Sequence, residues 1–152
     1  MRTTATRRIQ FCAGHRVQNH ESKCANLHGH NYVVFIHAMA PALDSVGRVI
    51  DFSVLKDRIG GWIDKWWDHT MILGINDIKT ISGVRKFQKN KPLFILSENP
   101  TAENMASFLL NNVCPSQLLG TGVIVTKIVL WETENCFASV ELDFEESKRL
   151  CN

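Results

Sequence analysis

Three histidines carry the clearest chemical signal in this sequence. His28-Gly29-His30 places two imidazoles two residues apart. On a strand, such residues share a face, so both rings point the same way. The glycine between them leaves room for close approach of a ligand or a second backbone. His15 ends an earlier segment, and a hairpin between the two segments brings it to the same face. Three imidazoles with an open fourth position form the donor set of a catalytic zinc site. Neutral imidazole serves nickel, copper or iron as well, so spacing alone leaves the metal open. His-x-His also occurs on solvated strands that bind nothing.

Other groups could do chemistry beside such a site. Cys24 lies in Lys23-Cys24-Ala25-Asn26-Leu27-His28. A loop cysteine next to a metal and a lysine favours the thiolate, which is a base or nucleophile. The competing reading is an inert thiol, and Cys12, Cys114, Cys136 and Cys151 are read that way. Asp68-His69 follows Trp66-Trp67. A carboxylate that orients an imidazole makes an acid/base pair, although a histidine at a helix C-terminus is also favoured by the dipole. Glu132 sits on a strand face shared with Leu130, Ile128 and Ile124, and an acid on an apolar face needs a partner. Its carboxylate could accept two parallel N–H bonds from a guanidine-like heterocycle edge. Thr101 and Glu103 at a helix start are ordinary capping residues on their own.

The chain bounds what these groups can belong to. Its 152 residues make a single domain spanning 1–152. Hydrophobic residues at 45% and charged residues at 21% fit an ordinary globule. No apolar run spans a membrane, and no secretory leader precedes Arg7-Arg8-Ile9, so a cytoplasmic protein is expected. A net charge of +2 gives little reason to expect nucleic acid. Arg85, Lys86, Lys89 and Lys91 form the one local basic excess, either a solvated loop or a site for a polyanion. Five irregularly spaced cysteines without a Cys-x-x-Cys pair predict free thiols, so histidines must supply most metal ligands.

The elements follow from periodicity. Ile9, Phe11, Ala13 and His15 alternate with polar neighbours, which predicts a strand. His28 to Ala40 predicts a second strand, with His28, His30, Tyr32, Val34 and Ile36 on one face. Phe52, Leu55, Ile59, Ile63 and Trp66 follow helical spacing behind a cap at Asp51 or Ser53, weakened at Gly60-Gly61. Residues 74–97 read as irregular, with a strand-like piece at Leu93 to Leu96. A second helix starts near Asn99-Pro100-Thr101, with Pro in its first turn and Ala102, Met105, Leu109 and Val113 inward. Val123 to Thr133 and Phe137 to Phe144 predict a closing hairpin turning at Glu134-Asn135. The order β-β-α-α-β-β predicts an α+β fold, an antiparallel sheet with two helices on one face. Its open edges invite subunit pairing.

Several segments together resemble the 6-pyruvoyltetrahydropterin synthase family, which includes the 6-carboxytetrahydropterin synthases. They are Phe11-Cys12-Ala13-Gly14-His15-Arg16, Cys24-Ala25-Asn26-Leu27-His28-Gly29-His30-Asn31-Tyr32, Val49-Ile50-Asp51-Phe52, Asp68-His69, Asn99-Pro100-Thr101-Ala102-Glu103-Asn104 and Trp131-Glu132-Thr133. The resemblance runs nearly the length of the chain, leaving out residues 74–97. It implies the tunnelling fold, an oligomeric barrel, and a homohexamer of two stacked trimers with active sites between subunits. It implies that His15, His28 and His30 bind Zn2+. Cys24 would be the catalytic thiol, Asp68 and His69 the acid/base relay, and Glu132 the pterin anchor, assisted by Thr101 and Glu103. Arg16 and Lys23 are candidates for phosphate contacts.

Only three residues separate Cys24 from His28. That spacer resembles the bacterial 6-carboxy enzymes, whereas the animal 6-pyruvoyl enzymes carry a longer one. The implied reaction converts 7,8-dihydroneopterin triphosphate to 6-carboxy-5,6,7,8-tetrahydropterin, releasing acetaldehyde and triphosphate, on the way to 7-deazaguanine and queuosine. The alternatives are the 6-pyruvoyl reaction, which keeps the side-chain carbons, a non-catalytic pterin or zinc binder, and a nucleic-acid module using Arg85 to Lys91.

Overall fold

The computed structural model describes residues 3–143. The predicted strand end at Phe144 and the thiol of Cys151 lie outside the described residues. The strands are β1 (Ala5–His15), β2 (His28–Met39), β3 (Thr70–Gly74), β4 (Phe94–Leu96), β5 (Ile124–Thr133) and β6 (Cys136–Glu141). They form one six-stranded sheet in the order β4-β3-β1-β2-β5-β6. The four long strands pair antiparallel, as the alternation predicts. β3 and β4 add to the β1 edge in parallel, so the sheet is mixed and two strands wider than expected. β3 carried no signal because Thr70, Ile72, Leu73 and Gly74 are all buried, and a strand covered on both faces does not alternate.

Helices cover one face. α1 (Phe52–Leu55) runs through a wide π turn at Lys56–Gly60 into α2 (Gly61–Trp66). The Asp51 carboxylate caps it by accepting the Ser53 amide at 2.9 Å. A Cβ on Gly60 would sit 3.1 Å from Ile9 Cδ1, so glycine lets this turn lie close on β1. α3 (Ile78–Arg85) falls inside the segment read as irregular, and none of its residues is buried. α4 (Ala102–Phe108) continues through a second π turn at Leu109–Val113 into α5 (Cys114–Gln117). Thr101, not Pro100, is its cap, so Pro100 precedes the helix instead of opening its first turn.

The core lies between these helices and the inward sheet face. Leu55, Ile59 and Ile63 meet Met105, Leu109 and Val113 over Phe11, Tyr32, Val34, Ile36, Ile128 and Leu130. The helical stripe ends on Trp67, fully buried, and not on Trp66, which is 37% exposed. Trp67 lies within 5.8 Å of the Phe11 and Phe94 rings, measured between centroids. A bulge at Thr126 shifts the inward face of β5, so Val125 takes the place predicted for Ile124. Among the described residues, no helix is long and apolar enough to cross a membrane.

The two adjacent tryptophans should therefore differ in urea denaturation. Trp67→Ala is expected to cost about 3–5 kcal/mol, and Trp66→Ala within about 0.5 kcal/mol. Equal losses would contradict this packing.

Candidate metal centre and adjoining recess

The β1–β2 hairpin builds the site. Its register sets His15 opposite His28, Gly14 opposite Gly29, and Ala13 opposite His30. All three histidines therefore project from one sheet face at one end of the hairpin. One ligand atom from each lies within 4.8 Å of the others. Gly29 makes the close pairing possible, because a Cβ there would sit 2.9 Å from the Ala13 carbonyl oxygen.

Two of the rings have defined tautomers. His15 Nδ1 donates to the Pro100 carbonyl at 2.7 Å, and His28 Nδ1 donates to the Asn26 carbonyl at 2.7 Å. A carbonyl only accepts, so each Nδ1 carries the proton and each neutral ring leaves a lone pair on Nε2. Those two Nε2 atoms face each other at 3.0 Å. Two lone pairs at that distance repel unless a cation lies between them or one ring takes up a proton. Burial resists the proton: it pushes His15 down to about 4, against the Pro100 bond and with help from His28 and His30. His30 is lowered as well, by burial first and by His28 second. Nδ1–H bound to a backbone carbonyl and Nε2 free is the arrangement of metal-ligating histidines. The donor set fits a metal ion.

Beside the triad is a recess lined by His15, Cys24, Thr101, Glu103, Glu132 and Phe137, among others. Cys24 reaches it from a short turn, Lys23–Ala25. Glu132 Oε1 lies 3.8 Å from His15 Nε2. Burial, and then the neighbouring Glu103, raise the Glu132 carboxyl above its ordinary value. A half-buried carboxylate whose protein contact is a 3.8 Å approach to His15 suits a ligand that donates N–H groups. Arg16 turns away from the recess. Its Nε donates to the Ala25 carbonyl at 2.6 Å and its Nη1 to Asp77 at 2.6 Å, tying the Cys24 turn to the start of α3.

Asp68 and His69 lie elsewhere in the chain. The two side chains are bonded, His69 Nδ1 to Asp68 Oδ2 at 2.6 Å, and Asp68 Oδ1 accepts the Cys12 amide at 2.8 Å. Burial pushes the Asp68 carboxyl up, but the Cys12 amide, His69 and Lys91 outweigh it and hold the group below the usual carboxylate range. His69 has φ 56° and a side chain 76% exposed. It lines a second depression with His28 and His30, separate from the Cys24 recess. Seven of the nine candidate side chains thus gather at the triad and its recess, while His69, bonded to Asp68, lines the depression that His28 and His30 also border.

Sequence reasoning missed the Pro100 and Asn26 carbonyls, because backbone partners leave no trace in residue type. It also missed Phe137 and Cys136 at the recess. The free state expected of the thiols holds among the described residues, and there, of the thiols read as inert, Cys114 is buried, Cys12 is half-buried and Cys136 is exposed.

A family model for 6-pyruvoyl tetrahydropterin synthase matches residues 4–143. The chain belongs to this family. It is 43% identical over 135 residues to a 6-carboxy-5,6,7,8-tetrahydropterin synthase of Rickettsia bellii, covering 89% of this chain and 97% of that protein. Among solved structures, an uncharacterised protein of Wolinella succinogenes superposes with a TM-score of 0.79 at 24% identity, covering 94% of this chain and 99% of the other. The 6-pyruvoyl tetrahydropterin synthase of Caenorhabditis elegans gives a TM-score of 0.65 at 21% identity, covering 94% and 97%. Both share the fold.

Gly29→Ala keeps every histidine but forces β1 and β2 apart. It is expected to cost roughly 1–3 kcal/mol and to weaken metal binding in calorimetric titration. Metal affinity equal to that of the unaltered protein would contradict the close-pairing argument. Native thiol labelling at pH 8 should modify Cys136 and spare Cys114, whose thiol burial pushes up to about 12. Fast labelling of Cys114 would contradict its burial.

Proposed function

We propose that the chain, as one domain, is a zinc-dependent lyase that converts 7,8-dihydroneopterin triphosphate and water to 6-carboxy-5,6,7,8-tetrahydropterin, acetaldehyde and triphosphate. The observation that carries the reading is the pair of Nε2 lone pairs facing at 3.0 Å beside a recess holding Cys24 and Glu132. The choice of product follows the 43% identical relative, which is named a 6-carboxy enzyme, and the short spacer between Cys24 and His28.

His15, His28 and His30 would hold the metal. Zinc at such a site supplies Lewis acidity and lowers the pKa of hydroxyl groups brought to it. The chain's own residues do the rest. Glu132 receives the pterin edge, with Thr101 and Glu103 shaping the same wall. The Cys24 thiolate takes a proton from the substrate side chain, and His69, oriented by Asp68, delivers or accepts another. Cys24 and His69 line different depressions of one chain, which favours a relay in which His69 approaches from a second copy. Such a relay fits the homohexamer of two trimers with sites between subunits. We place the reaction in the cytoplasm, feeding 7-deazaguanine and queuosine synthesis. Lys23 remains the candidate for a triphosphate contact.

Zinc-loaded protein incubated with 7,8-dihydroneopterin triphosphate should yield 6-carboxytetrahydropterin and acetaldehyde by mass spectrometry. 6-Pyruvoyltetrahydropterin alone would reassign the chemistry, and binding without product would overturn the enzyme reading. Cys24→Ala should keep stoichiometric zinc and lose about 10²-fold or more in kcat. His28→Ala should lose zinc and activity together, and stoichiometric zinc in that variant would remove His28 from the ligand set. Glu132→Ala should weaken substrate binding with the fold intact.

A further inference from the structure

Residues 74–97 match none of the family segments, yet one part of them grips the acid/base pair. Of the local basic excess, Arg85, Lys86 and Lys89 are exposed, while Lys91 is half-buried. Lys91 Nζ donates to the Asp64 carbonyl at 2.6 Å and also to the Asp68 carbonyl. Asp64 lies in α2, near the helix end, where the last carbonyls lack intrahelical partners. A cation there satisfies them and complements the helix dipole. The two carbonyls bracket the chain reversal that leaves α2 and presents His69 at positive φ.

A second contact holds the residue after His69. Gln88 Nε2 donates to Thr70 Oγ1 at 2.6 Å and to the Lys91 carbonyl at 2.7 Å, and Thr70 Oγ1 donates to the Pro92 carbonyl at 2.8 Å. On the opposite side, β1 holds the same turn, because the His69 amide donates to the Cys12 carbonyl at 2.6 Å. Asp68 and His69 are thus clamped between β1 and the segment 88–92. His69 needs such a clamp, since its side chain is exposed and its backbone lies in a region that non-glycine residues rarely adopt.

We propose that Lys91, with Gln88, is a positioning residue that braces the Asp68–His69 pair in its working geometry. The proposal rests on the reading of His69 as the proton relay. It gives Lys91 a role within the protein, in place of a solvated or polyanion-binding one. It also gives the motif-free segment a task. The charged groups acting on Asp68 are His69 on its own segment and Lys91 from the following one, and β1 contributes the Cys12 amide.

The test is steady-state kinetics of the zinc-loaded enzyme with Lys91→Met, Lys91→Arg and, as a control, His69→Ala. Lys91→Met should lower kcat roughly 10- to 100-fold, as a small misplacement of a catalytic group does. KM should stay within about twofold and zinc content should be unchanged, because the recess and triad are untouched. After the Cys12 amide and His69, Lys91 adds the smallest of the contributions that lower the Asp68 carboxyl, so its removal raises that group slightly. Activity that needs ionised Asp68 should then be lost at higher pH on acidification. Lys91→Arg, which can reach the same carbonyls, should restore most of the rate.

If Lys91→Met keeps kcat and its acid limb while His69→Ala is inactive, the brace is wrong and the relay stands. If His69→Ala is fully active, the relay itself is wrong. Should Lys91→Met fail to fold, Gln88→Ala removes one arm of the same clamp and carries the test. An unchanged kcat in that variant would overturn the proposal.

Discussion

Everything at the histidine triad depends on the register between β1 and β2. Side chains alternate along a strand, so a slip of one residue would send His28 and His30 to the opposite face from His15. The pairing of His15 with His28 fixes that register at the point of use. Upstream, Ile9 and Phe11 face the core with Tyr32 and Val34, so the hydrophobic pattern enforces the pairing that the histidines need. Gly29 removes the one Cβ that would hold the strands apart at the site. The cost of assembling three imidazoles is carried by the rest of the hairpin. Burial favours the neutral form of His15 and His30, and the carbonyls of Pro100 and Asn26 aim the Nε2 lone pairs of His15 and His28 inward.

The parts of the fold legible in sequence are those with a clean period. β1, β2, β5 and the main helices show alternation or a helical stripe, because each presents one face to the core and the other outward. β3 is buried on both faces and α3 on neither, so neither produces a contrast to read. The choice of Trp67 over Trp66 as the buried ring reflects how the helix leaves its last turn, a detail that spacing alone does not resolve. The bulge at Thr126 displaces the inward face of β5 by one residue for the same reason.

The site divides along similar lines. The histidine triad was readable because strand geometry relates its members. Cys24, Thr101, Glu103 and Glu132 come from a turn, a helix start and a strand end that only the tertiary fold brings together, so their grouping rested on family resemblance. Asp68 and His69 were legible as a pair and do bond to each other, yet His69 lines a different depression from Cys24. The clamp on this pair was invisible in sequence, because Lys91 acts through backbone carbonyls that any residue type could offer.

X-ray absorption spectroscopy of the zinc-loaded protein tests the central claim most directly. The account requires zinc at one ion per chain, with three histidine nitrogens at about 2.0–2.1 Å. It also requires the histidine count to fall by one in His15→Ala. A first shell dominated by sulfur or carboxylate oxygen, or one unaltered by His15→Ala, would contradict it.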